Sequence, residues 1–164
     1  MVEIVGTWTP WAALVLFVLV LANQADVPIP ATPSLLAAGA LAAGGRLSFS
    51  VILAAAVAAA LSADLVWYGL GRWRGAQTLA VLRRRMKPRA WIDWVESLFL
   101  AHRFGVLFGV RFLPELNPVG AGLAGATGVG PAHFLLSASG SALVWAGAWA
   151  GAGYLLTEAT ALLQ

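Results

Sequence analysis

From Leu47 to Leu70 the chain runs through Ala, Val and Leu with a single charge, Asp64. About 20 consecutive apolar residues are what an α-helix needs to cross the hydrocarbon core of a bilayer. A second long apolar run, Phe134 to Leu156, holds Trp145, Trp149 and Tyr154. Composition agrees: 60% of the 164 residues are hydrophobic and 10% charged, with mean hydropathy +0.83. A soluble domain is about 45–50% apolar and about 25% charged. A chain this short and this apolar would leave too much apolar surface uncovered in water. The expected class is an all-α integral membrane protein.

The cations are placed unevenly. Eight of the ten Lys/Arg lie between Arg72 and Arg103, and the other two are Arg46 and Arg111. Positive charge concentrated between apolar stretches marks a cytoplasmic loop. Residues 75–103 mix these cations with Leu79, Leu82, Trp91, Ile92 and Trp94, as amphipathic helices on a membrane face do. Anionic lipid head groups are the expected partner of this linker. A nucleic-acid patch, the other use of a basic run, is disfavoured by the apolar flanks. The first apolar run, Trp11 to Ala22, lacks a positive leader and a small-x-small cleavage site, so it reads as a retained helix from Pro10. The bacterial inner membrane is the expected location.

Two polar stretches interrupt the apolar pattern. Pro28, Pro30 and Pro33 follow Asp26, and Pro114 and Pro118 enclose Glu115 and Asn117 just after Arg111. A helix does not run on through such a cluster, because each Pro removes a backbone donor and restricts the residue before it. The apolar pieces that follow, Ser34–Ala43 and Gly120–Gly130, are too short to cross, which suggests re-entrant hairpins. Such backbone is tolerated at membrane depth only where protein or a wet cavity surrounds it. The two halves also align: Pro30 with Pro114, Gly39 with Gly125, Phe49 with Phe134, Tyr68 with Tyr154. The expected fold is one membrane domain: an N-terminal helix (10–24), a first repeat (25–74), the basic linker (75–103) and a second repeat (104–156). Each repeat is a Pro-broken hairpin plus a spanning helix, and a cytoplasmic linker makes the pair an inverted repeat, as in many secondary transporters.

Few residues offer chemistry. A carboxylate inside a spanning helix costs at least ~2.5–3.5 kcal/mol on insertion scales, so Asp64 should face protein or water and have a partner. Its role is either proton binding or structural hydrogen bonding. Arg111 carries a planar fork suited to a phosphate; its other reading is an ion pair with Asp64, Asp26 or Glu115. Asp26 and Glu115 sit at the two broken segments, and the repeat places Asp26 close to the counterpart of Arg111, so opposite charges at the hairpin mouths suit an alternating-access lock; the other reading is two interface charges in water. Gly69, Gly71, Gly75, Gly147 and Gly151 suit close helix packing. There is no Cys, and His102 and His133 are isolated, so neither a metal site nor a cofactor is expected. Ser137, Ser139 and Ser141 lack a His and carboxylate partner, so they suit helix contacts and no enzyme activity is expected.

Three stretches together resemble the DedA family, also called SNARE-associated or VTT-domain membrane proteins. They are Pro28-Ile29-Pro30-Ala31-Thr32-Pro33 with Ala38-Gly39, Ala63-Asp64 through Gly71-Arg72, and Phe108-Gly109-Val110-Arg111-Phe112-Leu113-Pro114 with Ala124-Gly125. The chain departs from many members in having Ala31-Thr32 at an acidic position and Asn117 near a second Arg position. The resemblance implies flipping of phosphate-bearing lipids such as undecaprenyl phosphate or phospholipids, coupled to protons or sodium. It also permits an ion-coupled carrier of small osmolytes or oxyanions. A non-transporting scaffold for a partner enzyme is the alternative from another class, and a homo-oligomer is compatible with either.

Overall fold

The computed structural model describes residues 2–25, 27–75, 77–78, 80, 84, 97–98, 105, 108–112 and 116–163. Among these it is all helical, with five α-helices: α1 (Val2–Gln24), α2 (Ala31–Ala43), α3 (Phe49–Arg74), α4 (Asn117–Ala126) and α5 (Pro131–Leu162). A 3-10 turn at Val110–Phe112 packs against α4. Most of the basic linker, and with it the expected amphipathic helices, lies outside the described residues, as do Asp26, Pro114 and Glu115.

The helix ends follow local chemistry. α1 begins well before Pro10 and carries that proline inside it, so the sequence boundary at Pro10 was too late. One missing donor interrupts the helix ladder without ending it. The helix ends at Gln24, and near its end Asn23 Nδ2 donates to the Ile29 carbonyl at 2.6 Å and the Val27 amide to the Ala22 carbonyl at 3.0 Å. Pro30 precedes α2 with extended backbone. Pro33 and Pro118 were expected to break helices; instead Pro33 sits in the first turn of α2 and Pro118 in that of α4. First-turn amides have no partner within the helix, so proline is tolerated there and its fixed φ helps start it. Only Pro28 and Pro30 lie in the first break. Glycines at positive φ close three helices: Gly45 after α2, Gly75 after α3 and Gly128 after α4. There they release the chain into a turn that Cβ would oppose.

Lengths decide what each helix can do. α3 with 26 residues and α5 with 32 are apolar and long enough to cross a bilayer. α2, with 13 residues, extends about 20 Å and α4, with 10, about 15 Å at the α-helical rise, short of the hydrocarbon core. Buried positions are dominated by small residues, including Ala56, Ala59, Ala60, Ala142, Ala146 and Ala150, while Leu14, Leu136, Leu155 and Leu156 face outward. Small residues inside and large apolar ones outside is the arrangement of helices packed within lipid.

The chain forms two compact units. The first comprises 1–23, 27–60 and 143–164, the second 24–26 and 61–142. In the first, α2 lies so close to α5 that a Cβ on Gly39 would run into the Ala150 backbone, and one on Gly153 into that of Leu36. Phe49 of α3 meets Tyr154 of α5 edge-on at 6.1 Å. In the second unit, α4 lies equally close to α3: a Cβ on Gly125 would strike the Tyr68 and Arg72 backbone, and one on Gly71 that of Gly122. Tyr68 of α3 stacks on Phe134 of α5 at 4.3 Å and donates its hydroxyl to the Val129 carbonyl at 2.5 Å. Gly71 thus has the packing use its sequence suggests, and Gly75 serves a turn. Gly69, Gly147 and Gly151 have open space around them among the described residues.

Candidate functional site

The second unit holds a buried polar cluster inside this apolar fold. Asp64 projects from α3, eight residues beyond Ala56 on the buried side of the helix, and is 1% exposed. Arg111 comes from the 3-10 turn and is 6% exposed. Its Nη2 donates to Asp64 Oδ2 in a salt bridge. A separation of 47 positions is closed because the 3-10 turn packs against α4 and α4 lies against α3.

Asn117 holds the carboxylate from the other side. As the first residue of α4, next to Pro118, it is fixed by the start of that helix. Its Nδ2 donates to Asp64 Oδ1 at 2.7 Å and to Gln24 Oε1 at 2.9 Å. Gln24 ends α1 and is itself buried. Beyond the guanidinium, Arg111 Nε donates to Ser141 Oγ at 3.1 Å, and that hydroxyl donates to the Phe108 carbonyl at 3.2 Å. Gln24, Asn117, Asp64, Arg111 and Ser141 therefore form one continuous chain of hydrogen bonds from α1 to α5.

One nitrogen in that chain is idle. Among the described residues, Arg111 Nη1 is the one buried side-chain nitrogen or oxygen without a hydrogen-bond partner. Leaving a buried charged donor unmade is costly, more so than for a neutral group. The cluster's two ions cancel, which is the condition for carrying charge inside a bilayer at acceptable cost. It can therefore donate a hydrogen bond from Nη1 to a group outside itself while remaining electrically neutral in the resting state.

Of the residues singled out from the sequence, Asp64, Arg111 and Asn117 come together here. Asp26 and Glu115 lie outside the described residues. Gln24 was missed altogether. Its only sequence signal was a polar side chain closing an apolar run, which a helix end in water would show equally well. Ser141 was read merely as a helix contact, and nothing in three alternating serines pointed to an arginine 30 positions away. Among the described residues no group of His, Asp and Glu is placed to hold a metal ion.

Comparison with known proteins agrees with this architecture. The model of the VTT domain matches residues 29–155, which include Asp64, Arg111, Asn117 and Ser141. The uncharacterized membrane protein slr0232 of Synechocystis sp. is 31% identical over 143 residues, covering 87% of this chain. The same alignment covers 66% of that relative, so the chain spans just under two thirds of its length. No solved structure matches. The chain belongs to the VTT-domain (DedA/SNARE-associated) family of membrane proteins.

Proposed function

We propose that the protein is an ion-coupled flippase that carries a phosphate-bearing lipid head group between leaflets through the Asp64–Arg111 site. The observation that carries this reading is the idle Nη1 of a buried arginine in a membrane domain. A guanidinium is weakly hydrated and matches phosphate oxygens, so it suits an anion that leaves water to cross lipid. Asp64 supplies the opposite charge that keeps the empty site neutral, and Asn117 holds it in place.

Two further parts belong to the proposal. The first is an inverted repeat. Within the first unit α2 packs on α5 and Phe49 meets Tyr154; within the second α4 packs on α3 and Tyr68 meets Phe134. The two ring contacts correspond to one another under the sequence alignment of the halves, Phe49 with Phe134 and Tyr154 with Tyr68, which supports two related elements. Short α2 and α4 then act as part-way insertions, the discontinuous pieces from which carriers build midplane sites. The second is a gate: Asp26 and Glu115, flanking the two breaks, serve as charges that alternate partners. Membrane lipids are the partners, a proton or sodium the coupling ion, and the basic linker faces the cytoplasm of a bacterial inner membrane.

Proteoliposomes test the proposal. Purified protein should speed the exchange of a fluorescent phosphate-bearing lipid between leaflets, and Arg111→Ala or Asp64→Asn should slow it. Exchange no faster than in protein-free liposomes would refute the flippase.

A further inference from the structure

We infer that the stacked rings of Tyr68 and Phe134 gate the Arg111 site, and that head groups reach it past them from the leaflet at the Arg72–Arg74 end of α3. The inference rests on the lipid-phosphate reading above and names its entrance. Tyr68 stands one turn beyond Asp64 on α3, about 6 Å of helix. On α5, Phe134 precedes Ser141 by about 10 Å. The two rings are stacked 4.3 Å apart, and both are buried. Beyond them α3 ends in Arg72, Trp73 and Arg74, all exposed, with the Arg74 guanidinium 4.7 Å from the centre of the Trp73 ring. An exposed Trp among arginines marks a helix end in the interfacial layer of a bilayer. In the other direction, Asp64 is about 22 Å of helix from Phe49 at the start of α3. Along α3, the ring layer is thus the shorter barrier between the cluster and water.

What holds the layer shut is sensitive to charge. The Tyr68 hydroxyl donates to the Val129 carbonyl at 2.5 Å and accepts from Arg72 Nη1 at 3.2 Å. Val129 belongs to the turn between α4 and α5, beside Gly128 at positive φ. The helices themselves have little freedom to part, because Gly125 of α4 sits against the Tyr68 and Arg72 backbone. Opening therefore falls to the Tyr68 side chain, which has to leave one ring stack and one carbonyl. Arg72 supplies the trigger. Its exposed guanidinium is bonded to a neutral hydroxyl, whereas a phosphate offers it a charge-assisted bond about twice as strong. An acidic head group arriving at the end of α3 draws Arg72 away and removes one of the hydroxyl's two partners. Arg72 thus acts on entry, and Arg111 on retention.

The chain holds no cysteine, so single cysteines report access to the site. The full chain carrying Ser141→Cys is placed in phosphatidylcholine liposomes and treated from outside with an uncharged, membrane-impermeant maleimide. Trp73→Cys, at the exposed end of α3, counts the molecules that present that end outward. Leu162→Cys, exposed at the end of α5 beyond the Phe49–Tyr154 contact, counts the rest. Ser141→Cys should label to the same extent as Trp73→Cys. Its rate should rise about three- to tenfold when Tyr68→Phe removes the hydroxyl, as loss of one hydrogen bond implies. Phosphatidylglycerol in the membrane should also raise that rate relative to Trp73→Cys, while soluble dimethyl phosphate should not. If Ser141→Cys does not fold, Ala138→Cys, buried one turn inside Phe134, reports in its place. Labelling that tracks Leu162→Cys, no labelling from either side, or a rate unmoved by Tyr68→Phe or by phosphatidylglycerol overturns the gate. Acceleration by dimethyl phosphate overturns entry from the leaflet. Lipid exchange is read separately on the same liposomes. Exchange that persists in those cases leaves the flippase standing, and absent exchange with the expected labelling refutes the flippase alone.

Discussion

Replacing Asp64 by Asn keeps the side chain's shape and its hydrogen bond from Asn117 but removes the charge facing Arg111. Both side chains of the pair are only 2% exposed, so water cannot screen the cation that remains. Arg111 would keep Ser141 as its one side-chain partner, with Nη1 still idle. Breaking a buried pair by removing one member costs about 3–5 kcal/mol, because an uncompensated charge stays behind. Removing both ions is different: apolar residues of similar volume in place of such a pair are often neutral, or stabilising by about 1–4 kcal/mol. Asp64→Leu with Arg111→Met should therefore be at least as stable as wild type, although each single change is damaging. Unfolding by SDS titration in mixed micelles measures the cycle. Loss of less than about 1 kcal/mol in Asp64→Asn, or a double variant whose loss equals the sum of the singles, would mean the pair is solvated and the burial argument is wrong.

Other sites give sharper structural contrasts by the same assay. Gly39→Ala and Gly125→Ala each push a methyl into another helix's backbone and should cost about 1–3 kcal/mol or more. Gly147→Ala and Gly151→Ala meet open space, so they should be neutral or stabilising by up to about 1 kcal/mol through helix propensity. Tyr68→Phe keeps the stack on Phe134 but strips the Val129 carbonyl and Arg72 of their hydroxyl partner, a loss of about 1–3 kcal/mol. Phe134→Ala removes a 1%-exposed ring from the core of the second unit and should cost about 3–5 kcal/mol.

The sequence was most informative where membrane physics leaves few options. Asp64 and Arg111 stand out because charge is so expensive among apolar residues that each must have a reason to be there. The two long helices follow from the same constraint. The prolines were legible only in part. Counting them located the end of α1 and the start of α4, but not that Pro33 and Pro118 lie in first turns, because a proline's effect depends on whether its amide falls there. Neutral members of the cluster were the least visible. Gln24 and Ser141 cost little at a helix end or inside a helix, so their presence implies no partner until the chain is folded. The aromatic pairs show the opposite case. Phe49, Tyr68, Phe134 and Tyr154 aligned between the halves, but only packing revealed that each ring meets one from the other half's helix.

Native mass spectrometry of lipid retained by the purified protein most directly tests whether Arg111 holds an acidic head group. The informative comparison is wild type against Asp64→Asn/Arg111→Gln, which strands no charge, and against Arg72→Gln/Arg74→Gln, which removes cations at the end of α3. Wild type should keep phosphatidylglycerol in preference to phosphatidylcholine, the Asp64/Arg111 variant should lose that preference, and the Arg72/Arg74 variant should retain it. An undiminished preference without Arg111 would contradict the account.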